Sequence, residues 1–577
     1  MIPATSPPAA SVISQGKTWP VFQPATQSSS TNFRVTSTLG CTLQETKRAT
    51  SGSCAYVEKI AAASSITGRR RRSRSVSMTS GGFMARCRSR ASSSPPPEDS
   101  ALRECLSSVP ELGRMRCVNV ELPYGETTLT ATLPSRTRTL SNVEATTLAP
   151  LEDLGAAVRA ALAAPRGLPR IGELVRPGAG VTIAFDDATV ASYGPIRSVA
   201  IEAVLEELEA AGVPRTRVTL ICANALHRKL RPAELARILG EDLVREFGPR
   251  LVCHDAEDQA AIVDLGRTPE HGYPVEVHRL VAESDLTVYV NARYNRGFNG
   301  GWKSVCVGLS TYDSIKVTHT PDGMSMSVHG NRMHEVLDEM GRHLERRVGR
   351  RVFKIDTLLA DPWRPAKVVA GSVDATRREL LGDVARMFPA RRGQAGERFD
   401  VLVYGVPDTS PYAVFSHVNP ILTLVSSGLG YLGGLAEAAG SPGCTVIMAT
   451  PVPDRWDRAT HPSYPEVWER VLPVTRDPYE IMRRFADDFA RRPAYLEAYR
   501  ARFGFHPVHG ILAVYPLKRL QHVGRVIVAG PQDPEIPRHV GFDTAPSVEE
   551  AVARAAARHG RDCAIAYVRQ PVLPHPS

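Results

Sequence analysis

The stretch "ESDLTVYVNARYNRGFNGGWKSVCVG", Glu283 to Gly308, joins a strand to a loop to a helix start. Its first half is rich in β-branched and aromatic residues and reads as a buried strand. The glycines Gly300 and Gly301 then lead into Lys303, where a helical pattern begins. The loop resembles one that cradles phosphates. Such a loop needs glycine directly before the lysine, so that backbone N–H groups close on the anion. That residue is Trp302, which argues against a P-loop NTPase.

The flanking sequence repeats the same alternation. "GAGVTIAFDD" (178–187) is a strand ending on Asp186 and Asp187, and "IRSVAIEAVLEELEAAGV" (196–213) has helical period. "RVTLICANALH" (217–227) is a strand delivering His227, "RPAELARILGEDLVREFG" (231–248) a helix, and "RLVCHDAED" (250–258) a strand and loop. "CVNVELPYG" and "TTLTATLP" form a hairpin around Tyr124-Gly125. Further on, "FDVLVYGVP", "GCTVIMATP", "GRVIVAGP" and "CAIAYVRQP" are short apolar strands, with the helical "DPYEIMRRFADDFARRPAYLEAYRARF" (477–503) among them. The expected fold is α/β: two α/β domains with mostly parallel sheets and a cleft between them, plus a disordered N-terminal extension. The divisions are a basic Ser/Pro-rich extension over 1–112, a first domain over 113–360 and a second over 361–577.

Composition agrees with a globular body: 577 residues, 43% apolar and 23% charged. The net charge of +10 is local, because residues 1–97 carry a net of +11 and the remaining 480 balance near −1. The body therefore has no global electrostatic reason to seek nucleic acid. No run of eighteen apolar residues suggests a membrane span. The ten cysteines show no CxxC and read as buried, reduced thiols of an intracellular, cytoplasmic protein. The acid-poor, Ser/Arg-rich start also has the character of an organelle transit peptide, or of a start placed upstream of Met78, Met84 or Met115.

In open α/β sheets, ligands bind beyond the carboxyl ends of strands. Four polar groups fall there: Asp186 with Asp187, His227, His254 with Asp255, and the loop of Lys303. Lys303 is a candidate anion ligand or covalent anchor, and His227 a candidate general base. His319 follows sixteen residues after Lys303. His329 and His334 in "HGNRMHE" lack the spacing of a zinc-binding HExxH helix.

"GFNGGWKSV", "ANALHRK", "FDD", "HDAED" and "HGNRMHEVLDEMGR" follow the order found in the nickel-pincer lactate racemase family, and "VELPYG" resembles its opening strand. The resemblance covers Val118 to Arg351. It implies a nickel-pincer nucleotide tethered covalently to Lys303 beside Gly300, Gly301 and Asp186, with His319 as a nickel ligand. It implies hydride transfer at the α-carbon of a small 2-hydroxy acid, with His227 as one of two proton-handling histidines, and pincer biosynthesis enzymes as partners. The second histidine's place, ten before the lysine, holds Arg293. The place of the substrate-gripping arginine holds Thr189, and the C-terminal tyrosine–lysine pair is reduced to Tyr412 with Ser416.

Arg293 is able to hold a carboxylate bidentately but is no general base. His254, His417 or Tyr294 would then serve as second base, or the chemistry is one-sided. The expectation is a 2-hydroxy-acid racemase or epimerase. Its alternatives are one-sided oxidoreduction or dehydration with the same cofactor, or a non-catalytic descendant binding a small acid or nucleotide.

Overall fold

A computed structural model describes residues 117–141, 148–293, 299–323, 331–387 and 397–569. The expected extension over 1–112, Tyr294 and His329 lie outside the described residues.

The first sheet has six strands in the order Pro365–Ser372, Val352–Leu359, Leu286–Arg293, Val181–Asp186, Val218–Ala223 and Leu251–Cys253. All neighbours run parallel except the first pair, which is antiparallel. Strands Leu286–Arg293 and Val352–Leu359 are buried along their whole length, which is why they read as continuous apolar runs rather than alternating ones. Register pairs Asp186 with Ala223 and Cys222 with Cys253, so these strands end together at one sheet edge.

The second sheet has eight strands. Asp543–Ala545, Arg525–Ala529, Gly440–Ala449 and Phe399–Pro407 run parallel. Phe399–Pro407 then meets both Ile565–Arg569 and the tip of Cys117–Gly125. The hairpin Cys117–Gly125/Thr127–Pro134 and the strand Arg138–Ser141 complete it.

The contiguous division at 360/361 therefore needs correction. Residues 117–141 belong to the second sheet, where Val120, Leu122, Ala131 and Leu133 share an apolar cluster with Val401, Val403 and Ile447. Residues 365–387 belong with the first, supplying its edge strand and the helix Val373–Met387 against it. Both sheets lie within one compact unit.

Two expected helices are split. Gly240, at φ 86°, breaks 231–248 into Pro232–Leu239 and Glu241–Phe247. Pro493 opens a new helix, Pro493–Ala501, after Pro478–Ala490 because it cannot donate to a preceding turn. The stretch Ile421–Ala439 is, among the described residues, long and apolar enough to cross a membrane by length and composition. Here Ile421, Leu422, Leu424, Val425 and Leu429 are fully buried in the protein core. Its first eleven residues, Ile421–Tyr431, wind as a π-helix, a rare form often found at functional sites.

Candidate functional site

The glycine loop is fastened from three sides. Trp302 is fully buried, and its indole N–H donates to Asp374 at 3.0 Å. The ring lies where Gly341 of helix Arg332–Val348 has no side chain; a Cβ there would sit 2.0 Å from Trp302 Cδ2. The buried Lys354 donates to the Gly301 carbonyl at 2.9 Å and to Ser304 Oγ at 2.8 Å. Burial, partly opposed by Asp356, brings its amine down to about 8. Gly300 and Gly301 adopt φ of 86° and 57°, a region closed to most side chains. The tryptophan that excludes a P-loop is thus the loop's anchor, and Lys303 begins the short helix Lys303–Cys306.

Lys303 lines a cavity of about 210 Å³ together with His227, His319 and Thr189. The opposite wall comes from the second half: Tyr412, Ser426, Ser427, Tyr431, His509, Lys518 and Arg519. Among the described residues no carboxylate lines it. Desolvation lowers the Lys303 amine to about 7, with Asp186 and Asp187 opposing. His319 is held neutral, at about 3, by burial and then by Lys303 and His227; its Nδ1 lies 3.0 Å from Thr318 Oγ1.

His227 reaches the cavity because Ala225, at φ 51°, turns the chain directly after strand Val218–Ala223. Its Nδ1 lies 2.8 Å from Asp187 Oδ2, and Thr189 donates to Asp187 Oδ1 through Oγ1 at 2.6 Å and N at 3.1 Å. Burial pushes the Asp187 carboxyl up, but the His227 charge and these hydrogen bonds hold it below the usual range. A carboxylate at Nδ1 keeps the proton there and leaves Nε2 as the basic nitrogen. Thr189, at the expected arginine position, serves Asp187 instead.

Two expectations need correction. Arg293 does not line the cavity. It is fully buried, with Nε 3.0 Å from Asp356 Oδ1 and Nη2 on Oδ2. Asp356 faces Asn291 in register, and Arg293 lies two residues further on the same strand face, so the pair meets beneath Gly300. Asp186 is likewise not among the cavity-lining residues, although its charge acts on Lys303. Its carboxylate accepts from Tyr289 Oη at 2.9 Å, Asn291 Nδ2 at 2.5 Å and Ala292 N at 2.8 Å.

The substitute bases fare no better. His254 is buried, lies 3.0 Å from the Ser310 carbonyl through Nε2, and is depressed to about 3 by burial and then His278. His417 is exposed and outside the cavity lining. His334 is buried against Arg377, and Glu270, His271 and Glu339 form a metal-capable cluster elsewhere.

Of the C-terminal wall the sequence reading named Tyr412 but missed His509, Lys518 and Arg519. His509 belongs to the four-residue helix His509–Leu512 and Tyr464 to another short turn. Neither has a period or spacing that marks it.

The fold and site define a two-sheet α/β protein with a histidine- and lysine-lined cavity at strand ends. Residues 124–329 match the family described as the lactate racemase N-terminal domain. The chain is 26% identical over 267 residues to lactate racemase of Lactiplantibacillus plantarum, covering 45% of this chain and 61% of that protein. It is 27% identical over 206 residues to lactate racemase of Thermoanaerobacterium thermosaccharolyticum, covering 35% and 46%. These matches span less than two thirds of either relative's length. The fold resembles the lactate racemase apoprotein structure from Thermoanaerobacterium thermosaccharolyticum, with TM-score 0.57 and 18% identity over 78% of this chain and 98% of that one. Residues 124–329 are thus similar to the lactate racemase N-terminal domain, and the fold as a whole resembles that of a lactate racemase apoprotein.

Proposed function

We propose that the protein is an isomerase, a racemase or epimerase of a small 2-hydroxy acid, working with a nickel-pincer nucleotide on Lys303. The observation that carries this is the meeting of Lys303, His319 and His227 in one cavity whose described lining holds no carboxylate.

The donor set fits the group. An amine lowered to about 7 is substantially neutral at physiological pH and able to form a covalent link. A neutral imidazole at His319 suits a borderline metal such as nickel. When bound, the group would supply a hydride acceptor and donor at the substrate α-carbon. The chain's own residues do the rest. Asp187 orients His227, whose Nε2 takes and returns the hydroxyl proton. Lys518 and Arg519 favour an anionic substrate, and the apolar parts of the wall limit water.

A second reading is one-sided oxidoreduction or dehydration with the same group. The position expected to hold a second base carries Arg293, which is sealed against Asp356.

The test is intact-protein mass spectrometry with nickel analysis on protein made in cells carrying pincer biosynthesis enzymes. An adduct at Lys303 with about one nickel per chain, absent in Lys303→Ala, is the expected result. The mirror-image acid as product supports racemisation, and an accumulating 2-oxo acid supports the second reading. An unmodified, metal-free chain would favour a non-catalytic binding protein. We also propose a cytoplasmic location, with organelle import as the alternative outcome of a tagged-protein localisation experiment.

A further inference from the structure

We infer that His509 is the second imidazole of this site: held through Nδ1 by Tyr464, it presents an Nε2–H donor to the substrate oxygen whose proton His227 handles. This rests on the 2-hydroxy-acid reading above and goes beyond it by assigning a residue from the other half of the protein.

The geometry is specific. His509 is 4% exposed and lines the same cavity as His227, and their ring centroids are 5.4 Å apart with planes at 79°. At that separation the two imidazoles are in edge-to-face contact in the cavity lining, where a substrate in the cavity meets both. Tyr412 packs its edge on His509 at 4.6 Å, and Phe505 lies at 4.5 Å, so the imidazole is fixed in place.

The tautomer follows from hydrogen-bond satisfaction. Tyr464 Oη lies 2.8 Å from His509 Nδ1. Tyr464 is fully buried, and its hydroxyl has no other hydrogen bond among the described residues. If Nδ1–H donated to Oη, the phenolic proton would be left buried without an acceptor. If Oη–H donates to Nδ1, both groups are satisfied. The second arrangement places the ring proton on Nε2, which has no hydrogen bond among the described residues. Burial, followed by His227 and His461, holds His509 neutral.

The two histidines are thus opposite in character. Asp187 keeps the His227 proton on Nδ1, so its Nε2 accepts. Tyr464 keeps the His509 proton on Nε2, so that edge donates. During oxidation the substrate O–H bond breaks and its proton goes to His227 Nε2; the group held by Lys303 and His319 would supply the acceptor for the α-hydrogen as hydride. His509 keeps its proton and hydrogen-bonds the oxygen that becomes the carbonyl. The return step reverses this. A neutral buried imidazole acting as a fixed donor is an established catalytic device. Tyr464 is a positioning residue.

The experiment has two readouts. In full-length protein with ¹⁵N-labelled histidine, long-range ¹⁵N–¹H correlation at pH 7.5 should show His509 as the Nε2–H tautomer and His227 as Nδ1–H. His509→Gln supplies the assignment, and Tyr464→Phe should mix the His509 tautomers. An Nδ1–H or doubly protonated His509 overturns the proposal. The second readout is [2-¹³C]pyruvate, whose carbonyl resonance should move downfield on binding. That shift should survive His509→Gln and disappear in His509→Phe, which should also lower kcat by about 10²-fold with a smaller change in KM. A shift equal in His509→Phe and wild type overturns the donor role. Correct tautomers with no carbonyl shift in the wild type would instead overturn the 2-hydroxy-acid reading, and the donor's assigned partner with it.

Discussion

Trp302 fills the notch left by Gly341: a Cβ on Gly341 would stand 2.0 Å from Trp302 Cδ2. The loop bearing Lys303 is therefore positioned by the absence of one side chain on a helix thirty-nine residues downstream. Gly341→Ala should destabilise the fold by about 1–3 kcal/mol, although alanine is the better helix former, because a rigid buried ring has to move. Urea unfolding measures the loss. An unchanged midpoint would mean that the indole is not seated there.

Arg293 and Asp356 are a fully buried ion pair. Asp356→Asn should cost about 3–5 kcal/mol, because it leaves a guanidinium buried without its counter-charge. Replacing both, as Arg293→Met with Asp356→Leu, should cost less than the single change. Thermal denaturation of the two variants against the wild type is the check. If Arg293→Met raised KM for the acid without loss of stability, the structural assignment of this pair would be wrong.

Lys303 should be the most reactive lysine at neutral pH. Its amine is lowered to about 7 by desolvation, so acylation by a small active ester should reach half its limiting rate near pH 7. Ordinary lysines do so near ~10.4. Peptide mass spectrometry across pH reads this directly. The linked stability has a definite sign. A folded-state value below the unfolded 10.5 means stability is lost as pH falls through about 7. Lys303→Met should therefore gain stability at pH 6 and gain nothing at pH 11.

Asp187→Asn should reduce turnover of the 2-hydroxy acid by about 10²–10⁴-fold with little change in KM. The amide would donate to His227 Nδ1, force the ring proton onto Nε2 and remove the base. Chiral chromatography of the products gives the rate. Wild-type turnover in this variant would exclude His227 as the proton acceptor.

Much of the architecture was legible because buried strands advertise themselves. Val181–Asp186 and Leu286–Arg293 are runs of apolar and β-branched residues, and a strand's end is where its polar residue appears. Asp187 and His227 follow the strands Val181–Asp186 and Val218–Ala223 within a few residues, and Lys303 meets His227 in the cavity. The strand-end logic misjudged Arg293 and Asp186 because direction is not local. Whether a strand-end side chain faces the cavity or the neighbouring strand depends on register, and Asp356 and Asn291 were already there to receive them.

The sequence by itself determined the alternation of strands and helices, the glycine loop and the strand-end residues, all set by periodicity and backbone freedom over a few residues. Only the tertiary structure decided which sheet claims residues 117–141, that Trp302 needs Gly341, and that His509, Tyr464, Lys518 and Arg519 close the cavity from the other half. Those relations join residues tens to hundreds of positions apart. They are fixed by packing and hydrogen-bond satisfaction in three dimensions, which no local pattern encodes.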